Sequence, residues 1–252
     1  MKKIIFRFMK KKRVPYGLSV HGQEEINSVL KTLKKSTQLG KNVLSFENKI
    51  ASIFNKKFGL MVNSGSSALF LGIESLNLPK KSEVITPILT FSTTVSALVK
   101  NDLIPVFVDV NTRTFCIDEK KIEKMISSKT KAICVPNLIG NVPNWIAIKR
   151  IAKKHKLIII EDSADCLGST ISNKSTGCFS DISISSFYGS HIINCAGNGG
   201  IVCFNNYDQY TKAKLLRSWG RNSSLFDDSE KIENRFNVKV DNIEYDAKFV
   251  FQ

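Results

Sequence analysis

Apolar residues recur along this chain with two periods, and the two alternate. At residues 23–33, Ile26, Val29, Leu30 and Leu33 share one helical face, and at 46–54 Phe46, Ile50 and Phe54 do the same. A short apolar run at 59–62 reads as a strand, and 68–76 as a helix. The exchange then repeats, with a strand at 83–86, a helix at 90–99, and a strand at 104–108 with Asp109 at its end. Asp118 opens a helix through Ile126. A strand at 131–135 leads to a helix at 145–155, and a strand at 157–160 runs into Glu161 and Asp162. Strands at 181–187 and 200–204 and a helix at 207–219 close the series. This rhythm, with short connections, predicts an α/β fold: a mostly parallel sheet covered by helices on both faces. Ligands of such sheets sit outside the carboxyl ends of the strands. The polar residues that follow each strand are therefore the candidates.

The charge balance changes that picture little. The chain of 252 residues has 37 Lys and Arg against 22 Asp and Glu, a net +15. Thirty of the basic residues are Lys and seven are Arg, spread along the chain apart from clusters at 10–13 and 153–156. Specific readers of nucleic acid lean on Arg forks, so Lys on solvated helix faces is the better account, and no nucleic-acid partner is expected. No apolar run approaches the ~18 residues of a membrane helix. The basic start at 1–13 lacks a continuous apolar core, so it does not read as a secretory signal. A cytoplasmic protein without a membrane partner is expected. Six cysteines, at 116, 134, 166, 178, 195 and 203, form no CxxC pair. Zinc-ribbon and thioredoxin readings fail, no metal site is expected, and reduced core thiols are.

Three polar segments stand at strand ends. Asn63-Ser64-Gly65-Ser66-Ser67-Ala68 opens a helix, either as an ordinary Ser cap or as an anion site built from free amides and hydroxyls. It is neither a Walker loop nor a Gly-x-Gly-x-x-Gly. Glu161-Asp162 offers carboxylates that could cap a turn, or pair with a cationic ring nitrogen or a metal. Ser186-Phe187-Tyr188-Gly189-Ser190-His191 leads to Gly197-Asn198-Gly199-Gly200. His191 is one of three histidines, structural or catalytic on these grounds alone.

Taken in order, these segments resemble a known family. Together with Thr90-Phe91, Pro105-Val106-Phe107-Val108-Asp109 and Glu161-Asp162-Ser163-Ala164-Asp165, they are similar to the successive motifs of the DegT-type nucleotide-sugar aminotransferases and dehydratases. The resemblance covers the chain from about Val14. It implies a pyridoxal-phosphate enzyme of fold type I: a three-layer α/β/α domain on a mostly parallel seven-stranded sheet. It divides the chain into a basic segment at 1–20, a cofactor domain at 21–221 and a polar segment at 222–252. The small C-terminal domain of the family is expected to be missing. Gly65, Ser66, Ser67 and Ser186 would hold the cofactor phosphate, Phe91 would stack on its ring, and Asp162 would pair with the ring nitrogen. Asp165 would lie near the ring hydroxyl, where most of the family has Gln. A homodimer, a nucleotide-diphosphate sugar substrate and an amino donor such as glutamate are implied.

One departure decides the implied reaction. Family aminotransferases carry the Schiff-base Lys five residues after the Ser of Ser-Phe, and here that position is His191. No Lys lies between Lys174 and Lys212. Imidazole cannot form a stable Schiff base, so His191 would act as base and acid. This is similar to the 3-dehydratases of NDP-4-keto-6-deoxyhexoses, which use pyridoxamine phosphate to remove the 3-hydroxyl. An aminotransferase or a non-catalytic cofactor-binding member are the alternatives. Within the subgroup, dispersed cysteines favour the branch without an iron–sulfur cluster. Between His191 and Gly199-Gly200 the chain has one residue more than the family pattern, and Asn198 replaces the usual Glu.

Overall fold

A computed structural model describes residues 14, 17–35, 39–226, 236–240 and 242–251. The basic cluster at 10–13 lies outside the described residues. Seven strands form the main sheet: β1 (Phe58–Val62), β2 (Glu83–Pro87), β3 (Ile104–Val108), β4 (Thr130–Pro136), β5 (Ile158–Asp162), β6 (Ile182–Ser186) and β7 (Gly200–Phe204). Their order is β1-β7-β6-β5-β4-β2-β3. Only β7 runs against its neighbours, pairing antiparallel with β1 and β6. The other pairs are parallel, so the expected mostly parallel seven-stranded sheet is present.

The strands are apolar on both sides because both faces are covered. Helices α3 (Gly65–Ser75), α4 (Ser92–Lys100) and α7 (Tyr207–Arg217) cover one face. There Val84, Ala132, Ile160, Ile184 and Val202 pack with Leu69, Leu98 and Ala213. Helices α2 (Lys41–Ile53) and α6 (Trp145–His155) lie on the other. Against α6 pack Ile85, Ile133 and Ile159, and against α2 pack Ile201 and Cys203. Each such fully buried aliphatic side chain contributes about 1.5–3 kcal/mol. Alternation along β5 thus turns Ile160 and Asp162 to the α3 face and Ile159 and Glu161 to the α6 face. Cys116, Cys134, Cys166 and Cys203 are buried free thiols, Cys178 is half-buried and Cys195 exposed.

Some expected boundaries move. The helix expected from Asp118 to Ile126 is a four-residue α5 (Glu119–Ile122) and then a 3-10 turn, Glu123–Met125. Asp118 does cap it, accepting from the Lys120 amide. In the polar segment 222–252, where the βα rhythm fades, a hairpin pairs Phe236–Val240 with Ile243–Asp246. Helix α1 (Gln23–Lys35) has no buried residue, and its apolar face is half exposed. No helix of the described residues is long and apolar enough to cross a membrane.

Candidate active site

The carboxyl ends of β1, β4, β5 and β6 carry the candidate residues. β1 leads into Ser64, whose hydroxyl accepts from the Ser67 amide at 3.1 Å and caps α3. Helix starts leave amides without intrahelical partners and carry partial positive charge. Gly65 opens this helix against the end of β6. A Cβ there would stand 2.7 Å from the Cβ of Ser186, so only glycine permits the approach. Gly200 serves the same turn from β7, where a Cβ would meet the Ser64 carbonyl carbon at 2.2 Å. The structure thus brings Gly65 and Ser186 together, with Ser66 exposed and Ser67 half-buried beside them.

A second group forms around Asp162 at the end of β5. Its carboxylate is 6% exposed and accepts from Thr94 Oγ1 and the Ala164 amide, each at 3.1 Å. Burial pushes its pKa up to about 6, against the lowering effect of those two hydrogen bonds. A buried carboxylate so placed favours a cationic partner. Thr94 lies on the first turn of α4, and its amide donates to the Phe91 carbonyl. Phe91 caps that helix with its ring 68% exposed, an open aromatic face. Thr94 was missed by the sequence reading; Thr90, which precedes the helix, donates to its hydroxyl at 3.0 Å.

His191 follows β6 in a loop closed at its base by Phe187 and Gly199, with the Phe187 amide donating to the Gly199 carbonyl at 2.8 Å. Nε2 of His191 lies 3.6 Å from Oδ1 of Asp165. Its Nδ1 is buried and has no partner among the described residues. Oδ2 of Asp165 accepts from the Ile139 amide at 3.0 Å. The N-terminal segment reaches this loop too: Ser19 donates to the Gly189 carbonyl at 2.7 Å, and His21 Nε2 meets Asn194 Oδ1 at 2.9 Å. The sequence carries no local sign of these contacts.

Glu161 sits elsewhere. It is fully buried on the α6 face and accepts from Asn137, Ser163, Ser180 and Ser183. Asn137 in turn accepts from Trp145 Nε1. Lys56, the one buried lysine among the described residues, donates to the Gly177 and Ser180 carbonyls. It precedes β1, at the end of the sheet opposite Ser64. Desolvation lowers its pKa to about 8. Among the described residues no group of His, Cys, Asp and Glu could hold a metal ion.

Three features fit a pyridine ring bearing a phosphate. They are the glycine-lined helix start facing Ser186, the exposed Phe91 ring, and the buried Asp162 carboxylate. Comparison with known proteins agrees. The profile of the DegT/DnrJ/EryC1/StrS aminotransferase family matches residues 20–245. A dTDP-4-dehydro-2,6-dideoxy-D-glucose 3-dehydratase of Saccharopolyspora spinosa is 35% identical over 215 residues, 82% of this chain and 46% of that protein. PseC of Helicobacter pylori, an aminotransferase of pseudoaminic acid biosynthesis, superposes with a TM-score of 0.80 at 30% identity, covering 94% of this chain and 62% of that one. NtdA of Bacillus subtilis, solved with its cofactor PMP, gives 0.72 at 29% identity, over 79% and 46%. The chain spans about half the length of the curated relatives it matches. It belongs to the DegT/DnrJ/EryC1/StrS aminotransferase family.

Proposed function

We propose that this chain is the cofactor-binding part of a pyridoxal or pyridoxamine 5′-phosphate-dependent NDP-4-keto-6-deoxyhexose 3-dehydratase, with residues 21–221 as the cofactor domain. When bound, that cofactor supplies an electron sink next to its ring. The amides and hydroxyls of Gly65, Ser66 and Ser67, with Ser186, bind its phosphate at the start of α3. Phe91 offers its exposed face to the ring. Asp162 holds the ring nitrogen as a cation, which relieves the burial cost of its own carboxylate. His191 takes a proton and returns it to the departing 3-hydroxyl. The nucleotide-diphosphate sugar, a glutamate-like amino donor and a homodimer belong to the same proposal.

The observation that carries it is His191 itself. It occupies the loop after β6 where an aminotransferase needs an amine. The one buried lysine, Lys56, is bound at the far end of the sheet. Borohydride reduction with pyridoxal phosphate tests this. Wild type gives no covalent adduct, and His191→Lys gives one. An adduct on wild type would return aminotransfer as the leading reading. A second reading is a cofactor-binding member without catalysis. Cofactor binding without turnover of any 4-keto sugar would establish it.

A further inference from the structure

We propose that Asp165 sets the tautomer of His191, so that Nδ1 is the ring nitrogen that accepts the proton. This rests on the reading of His191 as the proton-handling group, and it gives Asp165 a partner other than the cofactor hydroxyl. A carboxylate offers only acceptors, so it can face Nε2 only when Nε2 carries hydrogen. The neutral ring then has its lone pair on Nδ1. That atom is the one found buried and without a partner among the described residues, and an unpaired buried polar atom calls for an explanation such as a catalytic role. The 3.6 Å from Nε2 to Oδ1 is an ion-pair separation, longer than a hydrogen bond. Contacts between catalytic groups are commonly long before the ligand binds.

The Asp165 carboxylate is held in orientation from its other side. Oδ2 accepts from the Ile139 amide at 3.0 Å. Ile139 has φ of 51°, a left-handed conformation that a β-branched residue adopts only when its surroundings impose it. The amide of that turn donates to Oδ2, which leaves Oδ1 for His191. Tyr188 packs its ring edge on the imidazole, with centroids 5.9 Å apart. Asp165 is therefore a positioning residue that acts through His191.

The same keying makes Asp165→Asn a directed test. The Asn oxygen matches the Ile139 amide donor, whereas its amide nitrogen would oppose that donor, so the oxygen keeps that place and the nitrogen turns to His191. A donor facing Nε2 forces hydrogen onto Nδ1 and reverses the tautomer. The measurement is a long-range proton–nitrogen correlation spectrum of histidine-labelled full chain without cofactor or sugar, with His191 assigned by the signal lost in His191→Gln. In wild type, neutral His191 shows a protonated Nε2 and a bare Nδ1. In D165N the two exchange, and Asp165→Glu restores the wild-type pattern. For turnover, kcat of D165N falls at least about 100-fold with the sugar KM little changed. The same tautomer in wild type and D165N would overturn the proposal. So would a protonated Nδ1 in wild type, which needs no variant to fold. Because the tautomer is read without sugar, an exchange in D165N alongside an amino-sugar product would sink the dehydratase reading and leave the pairing intact.

Discussion

Replacing Asp162 with Asn is expected to stabilise the cofactor-free protein while weakening cofactor binding. Asp162 is buried at 6% exposure, and burial raises its pKa from 3.8 to about 6. A raised carboxylate means that the folded state binds the proton more tightly than the unfolded chain does. The cost of burying it is absent below the unfolded value and fully present above the folded one. The shift of about two units, at about 1.4 kcal/mol each, amounts to about 3 kcal/mol at pH 8. About half of that is already present at pH 5, so D162N gains about 1.4 kcal/mol more over wild type at pH 8 than at pH 5. Asn keeps an acceptor for the Ala164 amide and presents a donor that Thr94 Oγ1 can accept. Urea unfolding of both proteins at the two pH values gives the difference directly. A variant that is less stable than wild type at pH 8, or a difference that does not change with pH, would refute the argument.

Three other outcomes follow from the packing. Gly65→Ala places a carbon 2.7 Å from the Ser186 Cβ, so it loses about 1–3 kcal/mol in urea unfolding and weakens the cofactor-induced absorbance change in titration. Glu161→Ala leaves Asn137, Ser163, Ser180 and Ser183 short of an acceptor; it costs at least about 3 kcal/mol in the same measurement. Ile139→Asn relieves the left-handed strain while keeping the amide that holds Asp165, so the melting transition rises by the equivalent of about 1 kcal/mol.

How much of this was legible before any coordinates depended on range. The strands could be read because runs such as Ile158–Asp162 are short, apolar and buried on both faces. The helices could be read where one face repeats, as in Trp145–His155. Ends were less legible: α3 begins at Gly65 rather than at 68, because capping by Ser64 recruits residues without apolar side chains. The stretch after Asp118 broke into two short turns because four to seven residues cannot sustain a helix alone. The hairpin in the C-terminal segment was lost in polar composition, although Phe236, Val238 and Val240 alternate. The site's side chains were named by resemblance, and their distances came only from the fold. Gly65 meets Ser186 across 121 positions, and Ser19 meets Gly189 across 170. Asp165 and His191 lie 26 apart, on loops after two neighbouring strands. Periodicity carries no such information.

The central claim is that His191 removes a hydroxyl where an amine would transfer nitrogen. Its most direct test is the product formed from an NDP-4-keto-6-deoxyhexose with pyridoxamine phosphate and glutamate, read by mass and by proton NMR at C3 and C4. The account predicts a 3-deoxy-4-keto sugar, lost in His191→Asn. A 4-amino sugar that retains its 3-hydroxyl would contradict it.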